Sequence, residues 1–213
     1  MKPYRMVFDV IRHGQKDGDK LTELGIHQVH ATAQQHLAGT KYDMVYYSGL
    51  NRAEQTAKLA LVAINHPILP TIKNEGFGFE WLEKDPAMPQ FDFNACTAEL
   101  TKRIGEGVHP TVWDWFHHWP VFWGLRGRLL ETMINISNFA AVMNANGDKT
   151  EFHFLAGSHG PTAEAAVLDP KAFPALRMAD GVRYTFEREN NRLFLSDIKM
   201  VSSEFLPCPM YDK

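Results

Sequence analysis

The segment from Val7 to Ile11 constrains the fold most. It is a short run of β-branched and aromatic residues interrupted only by Asp9, and it fits a strand buried on both faces better than an amphipathic one. Such a strand needs a packed layer on each side. Thr22 then offers a helix N-cap, and Ile26, Val29, Ala33 and Leu37 recur at helical spacing until Gly39 ends the segment. Met44 to Ser48 reads as a second strand, and Leu50 to Ile64 as a second helix halted by Pro67. Strand, helix, strand, helix predicts parallel pairing, and Ile68 to Ile72 a third, weak strand.

Beyond this point the chain changes character. From Phe77 to Trp123 it holds eleven aromatics, including all five tryptophans, among prolines and glycines with little periodicity. This predicts an inserted lid at about 77–125 within a single domain spanning the 213 residues. Helical spacing returns over Arg126 to Met143, with Leu129, Leu130, Met133, Ile134 and Ile136 among its apolar positions, and Asn144 to Asp148 reads as its closing turn. Phe152 to Ala156 is a further strand, running into Ser158-His159-Gly160-Pro161. Pro161 suits the first turn of a helix over Thr162 to Leu168. Val182 to Glu187 and Arg192 to Val201 flank Asn190-Asn191, a hairpin signal at the sheet edge. The expected architecture is a three-layer α/β sandwich around a mostly parallel sheet.

Composition narrows the function classes. A net charge of −3 supplies no general attraction to nucleic acid or an anionic membrane, so neither partner is expected and anion binding must be local. Cys96 and Cys208 have no metal-ligand or C-x-x-C spacing, and reduced thiols are expected. The apolar run near the N-terminus is too short for a signal sequence or a membrane span, which points to the cytoplasm.

Chemistry concentrates where strands end. Arg12-His13-Gly14 closes the first strand, at the carboxyl edge where open α/β sheets place ligands. Arginine brings a planar fork for a phosphate, histidine a nitrogen nucleophile or base, and Gly14 a close backbone turn. Leu21-Thr22-Glu23-Leu24-Gly25 follows. Ser48-Gly49-Leu50-Asn51-Arg52-Ala53-Glu54-Gln55-Thr56-Ala57 comes after the second strand, and Gly157-Ser158-His159-Gly160 after the fourth. Each motif alone also fits an ordinary surface loop or helix start. Four in this order resemble the histidine phosphatase superfamily, the group that includes phosphoglycerate mutase.

The resemblance implies a phosphoglycerate mutase-like fold and assigns roles. His13 is implied to be the nucleophile that takes the phosphoryl group, with Arg12, Arg52 and His159 as a cationic cage and the N–H of Gly160 as a further donor. No metal or other cofactor is then called for. The leaving group needs a carboxylic acid, and Lys73-Asn74-Glu75-Gly76-Phe77-Gly78 resembles the stretch that supplies it, which favours Glu75 over Glu80 and Glu83. Many relatives follow Arg-His-Gly with Glu and then Thr or Ser, whereas this chain has Gln15 and Lys16, then Asp17-Gly18-Asp19. That departure disfavours a phosphomutase and leaves a phosphomonoester hydrolase acting on a small phosphorylated substrate. A non-catalytic phospholigand-binding module is the rival from another class. Lys16 is expected to be an exposed loop lysine rather than a cage cation.

Ten histidines do not imply a metal site. His27 and His30 lie three apart on a helix with no carboxylate or thiolate at a matching spacing. His117 and His118 are adjacent, and on a helix would point about 100° apart. The aromatic stretch, flanked or interspersed by Lys84, Lys102, Arg103, Arg126 and Arg128, is expected to cover the phosphate site and contact the organic part of the substrate.

Overall fold

The computed structural model describes residues 3–79, 81, 95, 98–99, 102, 111–114, 122–189 and 192–202. Strand β1 (Tyr4–Arg12) is buried along nearly its whole length and sits inside a six-stranded sheet. A small hairpin, β2 (Lys16–Asp17) and β3 (Lys20–Leu21), precedes α1 (Glu23–His36). Then come β4 (Met44–Tyr47), α2 (Asn51–Ala63) and β5 (Thr71–Lys73), with a 3-10 turn at Glu75–Phe77. Helix α3 (Phe122–Met143) leads to β6 (Glu151–Ser158), β7 (Gly181–Glu189) and β8 (Arg192–Val201).

The sheet order is β5-β4-β6-β1-β7-β8. β1, β6, β4 and β5 run parallel, whereas β7 and β8 are antiparallel additions at one edge. The alternation of side chains sorts the core into two layers. Met6, Phe8 and Val10 of β1, with Phe154 and Ala156 of β6 and Tyr46 of β4, pack with Leu125, Leu129 and Met133 of α3. Ile11, Leu155 and Val45 point the other way, to Val29 and Ala33 of α1 and Ala57 and Leu61 of α2. The mostly parallel three-layer arrangement expected from the strand and helix order is therefore present. Asp9, the interruption in the first apolar run, is fully buried. It accepts from the Tyr42 hydroxyl at 2.7 Å and from Arg183 Nε and Nη2 at 2.7 and 2.9 Å, so its charge is paired.

Several boundaries differ from the sequence reading, for physical reasons. Helix α1 is capped by Thr22, whose hydroxyl accepts from the Gly25 N–H at 3.1 Å, but Ile26 is exposed rather than part of the buried stripe. Strand β5 begins at Thr71, not Ile68, because Pro67 and Pro70 have no N–H to give a ladder and Ile68 stays exposed. Helix α3 starts four residues before Arg126, with Phe122 and Leu125 in the core and Ile134 exposed. Residues 162–168 form successive turns instead of a helix. The Gly160–Pro161 peptide is cis, and between Pro161 and Pro170 only isolated bonds such as Ala163 N–H to His159 O (2.8 Å) close. Glu189 pairs with Arg192, as a tight hairpin requires, while Asn190 and Asn191 lie outside the described residues.

Candidate active site

The sheet register builds the site. β1 and β6 are aligned so that Arg12 pairs with Ser158, and the next residues, His13 and His159, leave neighbouring parallel strands at the same level. Their ring centroids are 5.2 Å apart at an interplanar angle of 62°. On the other side of β6, Tyr47 pairs with Gly157, which brings Ser48 to His159. The Ser48 Oγ and His159 Nε2 are 2.6 Å apart. Gly157 is needed there because a Cβ would collide with the Ala53 carbonyl of α2. Absence of that side chain lets the first turn of α2, with Arg52, sit over the strand ends.

The protonation of His13 follows from its partner. Nδ1 lies 2.8 Å from the Gly14 carbonyl oxygen, which can only accept, so Nδ1 carries the hydrogen and Nε2 presents a lone pair. His13 is buried, and its pKa is held well below 6.5, first by desolvation and then by Arg12, with Arg52 and Lys16 adding to the effect and the Gly14 bond opposing it. The ring is neutral at neutral pH. His159 is likewise pushed well below 6.5 by burial, then by His13, Arg52, Arg12 and Lys16. His159 is therefore a neutral imidazole at neutral pH, and the positive charge beside it is that of Arg12, Arg52 and Lys16. The edge of its ring meets Phe79, with centroids 5.3 Å apart.

Arg12 is buried, donates from Nη1 to the Leu176 carbonyl at 2.6 Å and packs against Gly160. A Cβ on Gly160 would lie 3.2–3.3 Å from Nη1, Cδ and Cζ of Arg12. Arg52 is held by Asp19 of the β2–β3 turn, with Nη1 and Oδ1 at 3.1 Å. The same carboxylate accepts from the Asn51 N–H at 3.1 Å and faces the Arg52 N–H, so it caps α2, whose own N-cap, Leu50, has no side-chain bond. Gly14 is also required by packing. It and Gly25 lie back to back, and a Cβ on either would overlap backbone of the facing segment.

Lys16 departs from its expected place on an exposed loop. It is partly buried on β2, and its charge acts on both His13 and His159. Glu75 opens the 3-10 turn at the same carboxyl edge of the sheet. Asn74 N–H donates to Tyr47 O at 2.8 Å, and Ser158 Oγ donates to Phe77 O at 2.6 Å, which ties the turn to β4 and β6. The Glu75 carboxylate is half-exposed and lies 3.2 Å from Lys73 Nζ. Glu80, Glu83, Lys84, Arg103, His117, His118 and both cysteines lie outside the described residues. Among the described residues, no group of three or more His, Cys, Asp or Glu is arranged to hold a metal ion. No helix among them is long and apolar enough to cross a membrane.

Three residues beside the site have no role that sequence motifs reveal. Ser48 lies in the motif after the second strand, and no local feature of the sequence pairs it with His159. Asp19 was visible only as part of an acidic loop, although Asp17-Gly18 with a positive φ at Gly18 marks the turn that presents it. Glu164 stood among alanines, and that isolation was its only signal.

The family model described as histidine phosphatase superfamily (branch 1) matches residues 9–121. A 2,3-bisphosphoglycerate-dependent phosphoglycerate mutase of Methylobacterium sp. (strain 4-46) is 41% identical over 63 residues, 29% of this chain and 30% of that protein. The aligned part is thus under a third of that relative's length. Among solved structures, mycobacterial hydrolase 2 superposes with a TM-score of 0.59 at 18% identity, over 96% of this chain and 94% of its own. Phosphoglycerate mutase from Bacillus anthracis str. Sterne gives 0.54 at 16% identity, over 91% and 92%. At these identities the structural matches speak for the fold.

Proposed function

We propose that this chain, which belongs to the histidine phosphatase superfamily, is a metal-independent phosphatase that hydrolyses a small phosphomonoester through a phosphohistidine on His13. The observation that carries this reading is the bond from His13 Nδ1–H to the Gly14 carbonyl, which leaves Nε2 as a neutral nucleophile beside buried Arg12 and His159. Nε2 attacks phosphorus, the bond to the leaving oxygen breaks, and that oxygen takes a proton from Glu75. Water then attacks the phosphohistidine, Glu75 recovers the proton, and Nε2 is released with inorganic phosphate. Arg12 and Arg52 hold charge on the equatorial oxygens, with His159 and the Gly160 N–H as neutral donors and Lys16 as a further cation. Glu75 acts as the acid once it leaves Lys73, and an exposed pair of this kind costs little to part. The activity is cytoplasmic in this reading, and the expected lid at about 77–125 lies mostly outside the described residues.

A phosphomutase is the second reading, supported by the 41% identical segment of the Methylobacterium relative. The test is p-nitrophenyl phosphate hydrolysis by wild type and His13→Ala, with and without EDTA. Turnover that survives the chelator and disappears in the variant supports the phosphatase. Turnover unaffected by the variant removes His13 from the mechanism. Phosphoryl transfer to an added alcohol in preference to water favours the mutase.

A further inference from the structure

Glu164 is a charged residue that the proposed chemistry does not use. It is fully buried, and neither carboxyl oxygen closes a hydrogen bond of normal geometry. Burial of a carboxylate without partners is costly, so such a group is tolerated only if it is neutral part of the time or answers a nearby charge. The charge is Arg12. It is the neighbour that most favours the ionised form of Glu164, and the two side chains share the Leu176 peptide: Arg12 donates to its carbonyl at 2.6 Å, and its N–H faces the Glu164 carboxyl. The guanidinium thus lies against Gly160 and the Leu176 carbonyl, and its charge reaches Glu164 across the Leu176 peptide.

The other groups facing Glu164 set its response. Asp180, buried in the turn before β7, opposes its ionisation, although Arg177 Nε pairs with that carboxylate at 3.0 Å. Tyr184 of β7 donates its hydroxyl to Ala163 O at 2.7 Å and feels the Glu164 charge. Arg126 of α3 donates to Val167 O at 2.8 Å and acts on Tyr184. Arg12 is therefore the one cation among these neighbours that also belongs to the phosphate cage.

We propose that Glu164 is a positioning residue for Arg12. Ionised, it shares the guanidinium charge. When an oxyanion takes that charge up, Glu164 acquires a proton from solvent, so that phosphate-type ligands bind with proton uptake. This rests on the reading of Arg12 as a phosphate ligand. The balance of burial against Arg12 places the Glu164 pKa at about 7, inside the range where the exchange operates. His13 and His159, held well below 6.5, start neutral in that range and do not release protons there.

Tungstate, a phosphate-shaped dianion that does not titrate near neutrality, is the probe. Its binding is measured by calorimetry in buffers of different ionisation enthalpy, and its Kd across pH 6 to 8, for wild type and Glu164→Gln. Wild type should bind several-fold more weakly as pH rises and take up more protons than the variant, by up to about half a proton where Glu164 is half ionised. The Gln variant, a mimic of the protonated acid, should keep the tight, low-pH affinity throughout. Equal proton uptake in the two proteins, or a flat wild-type profile, overturns the proposal. Absence of any tungstate binding by folded wild type overturns the phosphate-site reading itself. If Glu164→Gln fails to fold, Glu164→Met serves as the second variant, and a flat wild-type profile still overturns the proposal.

Discussion

Arg12 of β1 pairs with Ser158 of β6, and this register sets His13 and His159 side by side although they are far apart in the chain. Two parallel strands that end at the same level bring two imidazoles together, and the loop after β4 adds Ser48. In the proposed reaction His13 and His159 are carried directly on strand ends. That favours preorganised donors over donors ordered at the moment of reaction.

The first consequence concerns pH. His13 must be neutral to attack, and burial and Arg12 hold its pKa well below 6.5. The acid limb of kcat/KM, which reports the free enzyme once substrate ionisation is divided out, should therefore lie well below pH 6.5. An Arg12→Met variant removes a depressing charge and should move the limb upward as well as weaken binding. A wild-type limb at or above the ordinary histidine value contradicts the assignment.

Gly160→Ala tests how closely Arg12 is seated. The new Cβ meets three atoms of Arg12 at 3.2–3.3 Å, so the guanidinium must give by a few tenths of an ångström. A roughly tenfold to hundredfold fall in kcat/KM is expected, since small misplacements of a charge-stabilising group are expensive. Thermal stability should change little. A large loss of Tm with intact kcat/KM in the remaining folded protein contradicts this account.

Asp19→Ala removes a cap and an orienting group together. Loss of the bonds to the Asn51 and Arg52 N–H groups should destabilise by about 1 kcal/mol, while the half-exposed ion pair itself adds little. KM should rise because Arg52 loses its orientation. Denaturant unfolding and steady-state kinetics on one preparation check both parts.

Glu164 has a stability signature separate from its effect on binding. Its pKa is raised from the ordinary 4.5 to about 7, so the unfolded chain ionises first. The associated stability is fully present below pH 4.5 and is lost as pH rises through about 7. The shift corresponds to about 3 kcal/mol between the two limits. Glu164→Gln should flatten this dependence, so the variant gains on wild type as pH rises. Parallel pH profiles of unfolding free energy would contradict it.

Much of this arrangement is legible in the sequence, and the illegible parts share a cause. The apolar run at Val7 to Ile11, the Thr22 cap and the residues after each strand place His13, Arg12, Arg52 and His159 at one edge, because strand direction is dictated by the strand and helix order. Phe77 and Phe122, at the margins of the aromatic stretch, belong to the core, which local spacing does not reveal. The composition of residues 162–168 suits a helix, yet the chain forms turns there. Thr162 to Val167 are buried and Leu168 is exposed, and nothing in that local composition separates turns from a helix. The bonds of Asp19 to α2, and the electrostatic influence of Lys16 on the two histidines and of Arg12 on Glu164, all join segments distant in sequence, and no local pattern encodes them.

The central claim is a covalent phosphoryl group on His13. Rapid acid-free quenching of wild type during turnover of a 32P-labelled phosphomonoester, followed by peptide mapping, measures it directly. The account predicts label on the peptide containing His13, stable to alkali and labile to acid, and absent from His13→Ala. Turnover of the labelled substrate with no label on the protein, or label retained in His13→Ala, would contradict it.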